Sequence, residues 1–474
     1  MMNTNEKEVN ETTTKTATEQ ARELAYTKKT VYQLKDAAAV DSAYDYARGY
    51  MKFLDDAKTE REAVTAGIEL AKAEGFIPYE FGDKIEVGGK YYYNNRGKNL
   101  FLFYIGTDDL KNGIRISAAH IDSPRIDLKQ VPLYEDSGMS FFKTHYYGGI
   151  RKYQWVATPL ALHGVVVKKD GSVVNVTIGE EESDPVLYIN DLLPHLGHGD
   201  DTKPLGSAIP GEKLNLLVGS RPIDDVSDGI KLNVLQILNE KFGIEEADLL
   251  SAELCAVPLG RARDAGLDRS MICGYGHDDR VCSYPALTAM FEAVGGKNSL
   301  LCILADKEEV GSDGNTGMQC ELMLDLIDAI AASAGVSPAV VRMNSKCLSA
   351  DVSAAFDPNF GDVFEKRNSS LLSCGVVLTK YTGARGKSGT SDASAEYIGW
   401  LRGIMERDSV VWQAGELGKV DAGGGGTVAK FIAKHNIEVV DLGVPVISMH
   451  APYEIISKVD LYEAHRAFAA FNKY

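Results

Sequence analysis

After about residue 258 the chain alternates short apolar runs with longer amphipathic ones, and this alternation limits the fold more than any other feature. LLCILA (300–305) precedes ELMLDLIDAIAASAG. SCGVVLTKY precedes SDASAEYIGWLRGIMER, and VVDLGVPVISM precedes a helical segment near KVDLYEAHRAFAAF. Strand-like runs separated by helices predict an α/β sheet with helices on both faces. Open sheets of this kind gather ligands at the carboxyl ends of their strands, so the residues just past each run matter most. RISAA leads into His120-Ile121-Asp122, LLCILA into Asp306-Lys307-Glu308-Glu309, and VPVIS into Met449-His450.

At 474 residues the chain is long enough for two or three folding units. Residues 1–20, rich in Thr, Asn, Glu and Lys, read as a mobile tail. Residues 21–125 and 259–474 read as one α/β unit. It is interrupted at 126–258 by a β-rich insert with runs such as HGVVVKKDGSVVNVTIG and LNLLVGSRPI between Gly, Asp and Pro turns. From about Asp41 a helix places Tyr44, Ala47, Met51 and Leu54 on one face. A second starts at the capping-box spacing of Thr59 and Glu62. YYYNNRGKNLFLFYIG reads as a hairpin turning at Asn95-Arg96-Gly97.

A formal net charge of −17 argues against nucleic-acid binding, which needs a concentrated basic surface. Seven cysteines without a CxxC pair predict no disulfide framework and fit a reducing cytoplasm. The first residues lack an export-signal pattern, and no later segment reaches the roughly 20 apolar residues of a membrane span, so no membrane partner is expected.

His120, Glu308, Glu309 and His450, with the acidic spots GHDDR (Asp278, Asp279) and LSADVSAAFDP (Asp351), form a His/carboxylate set suited to zinc, cobalt or manganese. Two imidazoles and three carboxylates suffice for two ions, each with its own His and carboxylate and a third carboxylate shared; either Asp278 or Asp279 fits that place. Of the adjacent pair Glu308 and Glu309, one can ligate while the other faces the attacking water. Asp122, on the same side as His120 in an extended segment, is placed to hold its second ring nitrogen. Each piece alone has an ordinary alternative: a hydrogen-bonded strand end for His-x-Asp, a solvated helix start for Glu-Glu, a helix cap for Asp278-Asp279 or Asp351, a turn for His450. The ordered set is what points to a metal centre. His145, His163, His277, His435 and His465 lack such a setting and read as surface or core.

AAHIDSPR, GHDDR, DKEEVGS, SADVSAAFDP and SMHAPYE occur in an order that resembles the aspartyl-aminopeptidase family of metallopeptidases, from about residue 95 to the C-terminus. The resemblance implies one metal on His120, Asp278 and Asp351, and a second on Asp278, Glu309 and His450, with Asp278 bridging. It makes Glu308 the general base, with Asp122 orienting His120. It also implies peptide substrates with acidic N-termini, an insert that serves oligomerisation, and a dodecamer built from dimers. His195 or His198 of the insert would reach a neighbour's active site. TKYTGARGKSG, with Lys380, Arg385 and Lys387, is the candidate cation source for an acidic side chain, and Gly423–Gly426 a candidate for backbone contacts to substrate. The alternatives are a two-metal deacylase or carboxypeptidase, and a non-catalytic oligomeric scaffold.

Overall fold

A computed structural model describes residues 16–199 and 202–474. Residues 1–15 of the expected tail lie outside these, and its last residues enter a helix over Ala17–Glu23. The alternating region builds a nine-stranded sheet. Its inner parallel strands are, in spatial order, Leu300–Ala305, Arg115–His120, Lys346–Ser349 and Glu438–Gly443. The hairpin Lys90–Asn95 and Asn99–Tyr104 flanks one side, turning through Arg96 and Gly97 at φ 60° and 67°. Val376–Thr379 and Trp412–Ala414 flank the other.

LLCILA shows why these runs are apolar throughout. Leu300, Cys302 and Leu304 face a core with Leu287, Leu461 and Phe468, while Leu301, Ile303 and Ala305 face another with Leu326, Ile327 and Ile330. A strand alternates its side chains between faces, so helices on both sides demand apolar residues at every position. The expected helices form at Ala37–Asp56 and Glu60–Ala73. The second is capped as its sequence foretells: Glu62 N donates to Thr59 Oγ1 (3.2 Å) and Thr59 N to Glu62 Oε2 (2.9 Å).

VVDLGVPVISM is not one strand. Glu438–Gly443 lies in the large sheet, and Pro445–Ile447 joins a five-stranded sheet with Ser353–Ala354, Glu454–Ser457, Met271–Gly274 and Arg263–Ala265. Pro445 has no N–H to continue a ladder, and the carbonyls of Val444 and Val446 instead accept from Ser353 and Ala355. This smaller sheet carries the approaches to Asp278, Asp351 and His450.

Strands from Arg125 to Pro258 form a seven-stranded antiparallel sheet. Ala252–Pro258 pairs with both Arg125–Asp136 and Pro159–Val167, which closes a barrel of six strands with Val173–Ile178 attached outside. Ile126, Phe142, Trp155, Leu162 and Leu216 fill its core. The β-rich reading missed a helix here, Gly229–Phe242, which buries Val234 and Leu238 while exposing Leu232 and Ile237. With apolar residues on both sides it shows no amphipathic stripe. The barrel is clamped to the helix Glu60–Ala73 by a buried imidazole: His163 Nδ1 lies 2.8 Å from Glu62 Oε1 and its Nε2 3.0 Å from Glu180 Oε1. Both acids are distant in sequence, so His163 showed no acidic partner when read along the chain. Among the described residues no single helix is long and apolar enough to cross a membrane.

Candidate active site

Strand register brings the polar ends together. Ala305 pairs with His120, which sets the turn through Glu308 and Glu309 beside His120-Ile121-Asp122. Ser349 pairs with Ala118, so Asp351 falls level with His120. Asp278 arrives at the start of the helix His277–Ala293, across a cis peptide to Asp279. His450 arrives from the smaller sheet in a left-handed turn with φ 64°. All seven expected residues of the centre meet in one place.

Asp278 stands between the two imidazoles. Its Oδ1 is 3.1 Å from His120 Nε2 and its Oδ2 3.2 Å from His450 Nε2. Asp351 Oδ1 lies 3.7 Å from His120 Nε2, and Glu309 Oε1 3.5 Å from His450 Nε2. Asp279 reaches neither histidine. Donor atoms lie within 4.8 Å of one another in three overlapping sets: His120 with Glu308 and Asp351, His120 with Asp278 and Glu309, and Asp278 with Asp279 and Asp351.

This donor set fits divalent metal. Asp278 Oδ1 and Glu309 Oε1 are buried without a hydrogen-bond partner, which buried polar atoms seldom tolerate. The charges point the same way. Burial, aided by the neighbouring carboxylates, pushes Glu309 and Asp351 above the usual carboxylate range, and Glu308 up to about 8. Burial also acts against Asp278, but the close contacts with the His120 and His450 imidazoles outweigh it and hold that carboxyl low. Burial opposes charge on the imidazoles too, yet their acidic partners raise both, His450 to about 10. Negative charge exceeds what two imidazoles can neutralise, and a cation would offset it. Glu308 differs from the others: its carboxyl makes no hydrogen bond or ion pair among the described residues.

Asp122 does more than its spacing suggested. His120 Nδ1 is 2.9 Å from the Asp122 backbone carbonyl and 3.3 Å from its Oδ1. The same carboxylate accepts the backbone N–H groups of Glu308 (3.1 Å) and Glu309 (3.2 Å) and the Tyr147 hydroxyl (2.8 Å). Glu454, unremarked at the end of SMHAPYE, accepts from Asp278 N (3.0 Å) and His450 N (2.8 Å). Gly149, at the end of a barrel strand, turns its carbonyl to His450 Nδ1 at 2.8 Å. No residue but glycine suits position 148: φ is 76°, and a Cβ would stand 3.2 Å from Glu309 Oε2. A Cβ on Gly443 would stand 1.6 Å from the Asp351 carbonyl oxygen, so the loop bearing Asp351 rests on bare backbone.

The substrate candidates do not join this cluster. Lys380 and Lys387 both bond Asp392, and Lys387 also lies over the Tyr381 ring. Arg385 is exposed and has no side-chain partner among the described residues. The glycine run packs against this loop, Gly383 N donating to Gly425 O. His195 and His198 are exposed in the inserted region, with no bond to the centre of their own chain. His277 is fully buried and bonds Tyr50.

The aminopeptidase I zinc metalloprotease (M18) family model matches residues 53–472. A probable M18 family aminopeptidase 1 of Clostridium acetobutylicum is 49% identical over 449 residues, covering 93% of this chain and 95% of the relative. The crystal structure of an M18 family aminopeptidase from Thermotoga maritima superimposes with a TM-score of 0.91 at 41% identity, covering 95% of this chain and 100% of that one. That of aminopeptidase I from C. acetobutylicum gives 0.88 at 45% identity, covering 94% and 99%. On a match that spans nearly its whole length, this chain belongs to the M18 family of zinc metalloprotease aminopeptidases.

Proposed function

We propose that this aminopeptidase works with two zinc ions, one held by His120, Asp278 and Asp351 and the other by Asp278, Glu309 and His450, with Glu308 as general base. The observation that carries this reading is the contrast within one turn: Glu309 lies 3.5 Å from His450, whereas the carboxyl of Glu308 has no partner and is pushed up to about 8. Bound zinc supplies a Lewis acid for the scissile carbonyl and makes a nearby water easier to deprotonate. Glu308 takes that proton and returns it to the departing amine. Asp122 keeps the His120 ring in place and holds the backbone of both glutamates, so base and ligand stay in fixed relation. Asp279, which touches neither histidine, has no ligand role in this scheme.

The substrates are peptides, and acidic N-terminal residues are the proposed preference. Arg385 supports it as an unpaired cation of the basic loop; Lys380 and Lys387, shared with Asp392, have less charge to offer. The barrel from 126 to 258 is the proposed assembly module, and the exposed Leu232 and Ile237 of its helix give it apolar surface. A dodecamer in which His195 or His198 enters a neighbour's site extends this reading; one structural neighbour, at 21% identity, is the mApe1 dodecamer of yeast. Seven free cysteines accord with a cytoplasmic setting.

The test is a zinc-loaded panel of short peptides with acidic, basic and apolar first residues, each with a free and an acetylated N-terminus. Acetylation abolishes turnover if the enzyme removes N-terminal residues, and acidic peptides give the highest kcat/KM. Equal rates on acetylated peptides would favour a deacylase or carboxypeptidase instead.

A further inference from the structure

Asp122 is fully buried, and each of its carboxylate oxygens serves two groups. Oδ1 faces His120 Nδ1 (3.3 Å) and accepts from Glu308 N (3.1 Å), while Oδ2 accepts from Glu309 N (3.2 Å) and from the Tyr147 hydroxyl (2.8 Å). The torsion that turns a carboxylate has broad minima, so its partners decide its plane. His120, Glu308 and Glu309 are the groups that Asp122 holds in place. Among the described residues, Tyr147 is the partner that comes from outside the centre and holds Asp122.

Tyr147 is itself well anchored. It ends the barrel strand Met139–Tyr147 and pairs with Arg125, the first residue of the adjoining strand Arg125–Asp136. The Arg125 guanidinium lies over the Tyr147 ring, 4.0 Å from its centroid, a cation–π contact that favours this ring position. Arg125 is buried and fixed in turn: Nη1 donates to Glu60 Oε2 (2.9 Å), at the start of the helix Glu60–Ala73, and Nε to Asp127 Oδ1 (2.8 Å) in the barrel. The phenol therefore stands on the seam between barrel and sheet, aimed at Asp122 by a cation that both sides hold.

We propose that Tyr147 is a positioning residue, steered by Arg125, that acts through Asp122 to set the His120 ring and the Glu308-Glu309 turn. The inference rests on the proposed function and adds a route by which the seat of the barrel reaches the general base. Without the hydroxyl, Oδ2 keeps only the Glu309 amide and the carboxylate turns more freely. The imidazole and the glutamate backbone then lose their common reference.

The experiment compares the zinc enzyme with Tyr147→Phe, which keeps the ring beneath Arg125 and removes only the hydroxyl. Outer partners of metal ligands contribute about 10–100-fold. Acting one step further out, the hydroxyl is expected at the low end of that range: kcat falls about 10-fold with KM little changed, and a chelator strips zinc from the His120 position faster by a similar factor. Tyr104→Phe is the control. Its hydroxyl donates to Gly296 O (3.0 Å), and Tyr104 pairs with Leu300 at the opposite end of the strand that leads to Glu308, so both readouts stay at wild-type values. In an Asp122→Ala background Tyr147→Phe adds no further acceleration of zinc release, because two residues acting through one contact are not additive. Zinc release at the wild-type rate in Tyr147→Phe, or the full acceleration repeated on top of Asp122→Ala, overturns the proposal. A lowered melting temperature with kcat and zinc release intact overturns it as well. Glu308→Gln, run alongside, keeps this inference apart from the function it rests on: if that variant stays active the assignment of the base fails, while faster zinc release from Tyr147→Phe still upholds the positioning of His120.

Discussion

His120 and His450 take matching places on either side of Asp278, but they are built by different means. His120 ends an inner strand of the large sheet, with a side chain 1% exposed, and its neighbours follow from strand register. His450 is 33% exposed and sits in a left-handed turn, held by the Glu454 carboxylate and the Gly149 carbonyl. One half of the centre is a product of the sheet. The other is assembled from three separate elements, one of them in the barrel, so its geometry depends on how the barrel is seated.

The largest expected effect tests the chemistry shared by both halves. Glu308→Gln should lower kcat by about 10²–10⁴-fold, the usual contribution of a general base, while metal analysis finds zinc content unchanged. Loss of zinc together with activity would make Glu308 a ligand, as its grouping with His120 and Asp351 permits, and would redraw the His120 half.

Next comes Glu454→Gln, which weakens the hold on the His450 and Asp278 backbones and leaves the strand bearing His120 untouched. Outer partners of metal ligands typically contribute 10–100-fold to affinity, so zinc should bind about that much more weakly at one position and hold at the other. Titration with a chelator should then show two separated steps. Simultaneous release of both ions would break the contrast.

The smallest effect concerns the barrel's seat. Burial lowers the affinity of His163 for a proton, but hydrogen bonds to Glu180 and Glu62 win and raise it from 6.5 to about 9. The same contacts, against the effect of burial, depress both glutamates below 4.5. A raised base stabilises the fold fully below its unfolded value and loses that contribution as pH rises through the folded one; depressed acids lose theirs as pH falls. The clamp is therefore strongest between roughly pH 4.5 and 6.5 and fades through about 9. His163→Ala leaves two partly buried carboxylates without their cation and should cost about 2–3 kcal/mol in that window, less at pH 9.5. Thermal melts of the variant and the wild type across this range measure it, and a pH-independent difference would show that packing rather than charge holds the barrel.

The same asymmetry explains what could be read from the sequence. The placing of the His120 half was legible because the proposed ligand residues follow apolar strands directly, and parallel register then aligns them. The order of motifs also brought Asp278 and His450 to the centre. What escaped was the support around the proposed ligands. Tyr147, Gly149 and Glu454 act through carbonyls, amides and hydroxyls at distances no spacing rule encodes, although the Tyr-Gly-Gly after a strand signalled a close approach. The split of VVDLGVPVISM escaped because one apolar run serves two sheets. The helix Gly229–Phe242 escaped because its apolar residues lie on two sides. The basic loop looked like three free cations; the structure ties two of them to Asp392.

Gly443 touches no candidate ligand side chain, yet the Asp351 carbonyl rests against it with no room for a methyl group. In a saturation scan scored by zinc retention, this position should group with His120 and Asp351 rather than with the neighbouring strand residues. On that expectation Gly443→Ala lowers zinc retention by displacing the loop that bears Asp351, without altering any proposed ligand side chain.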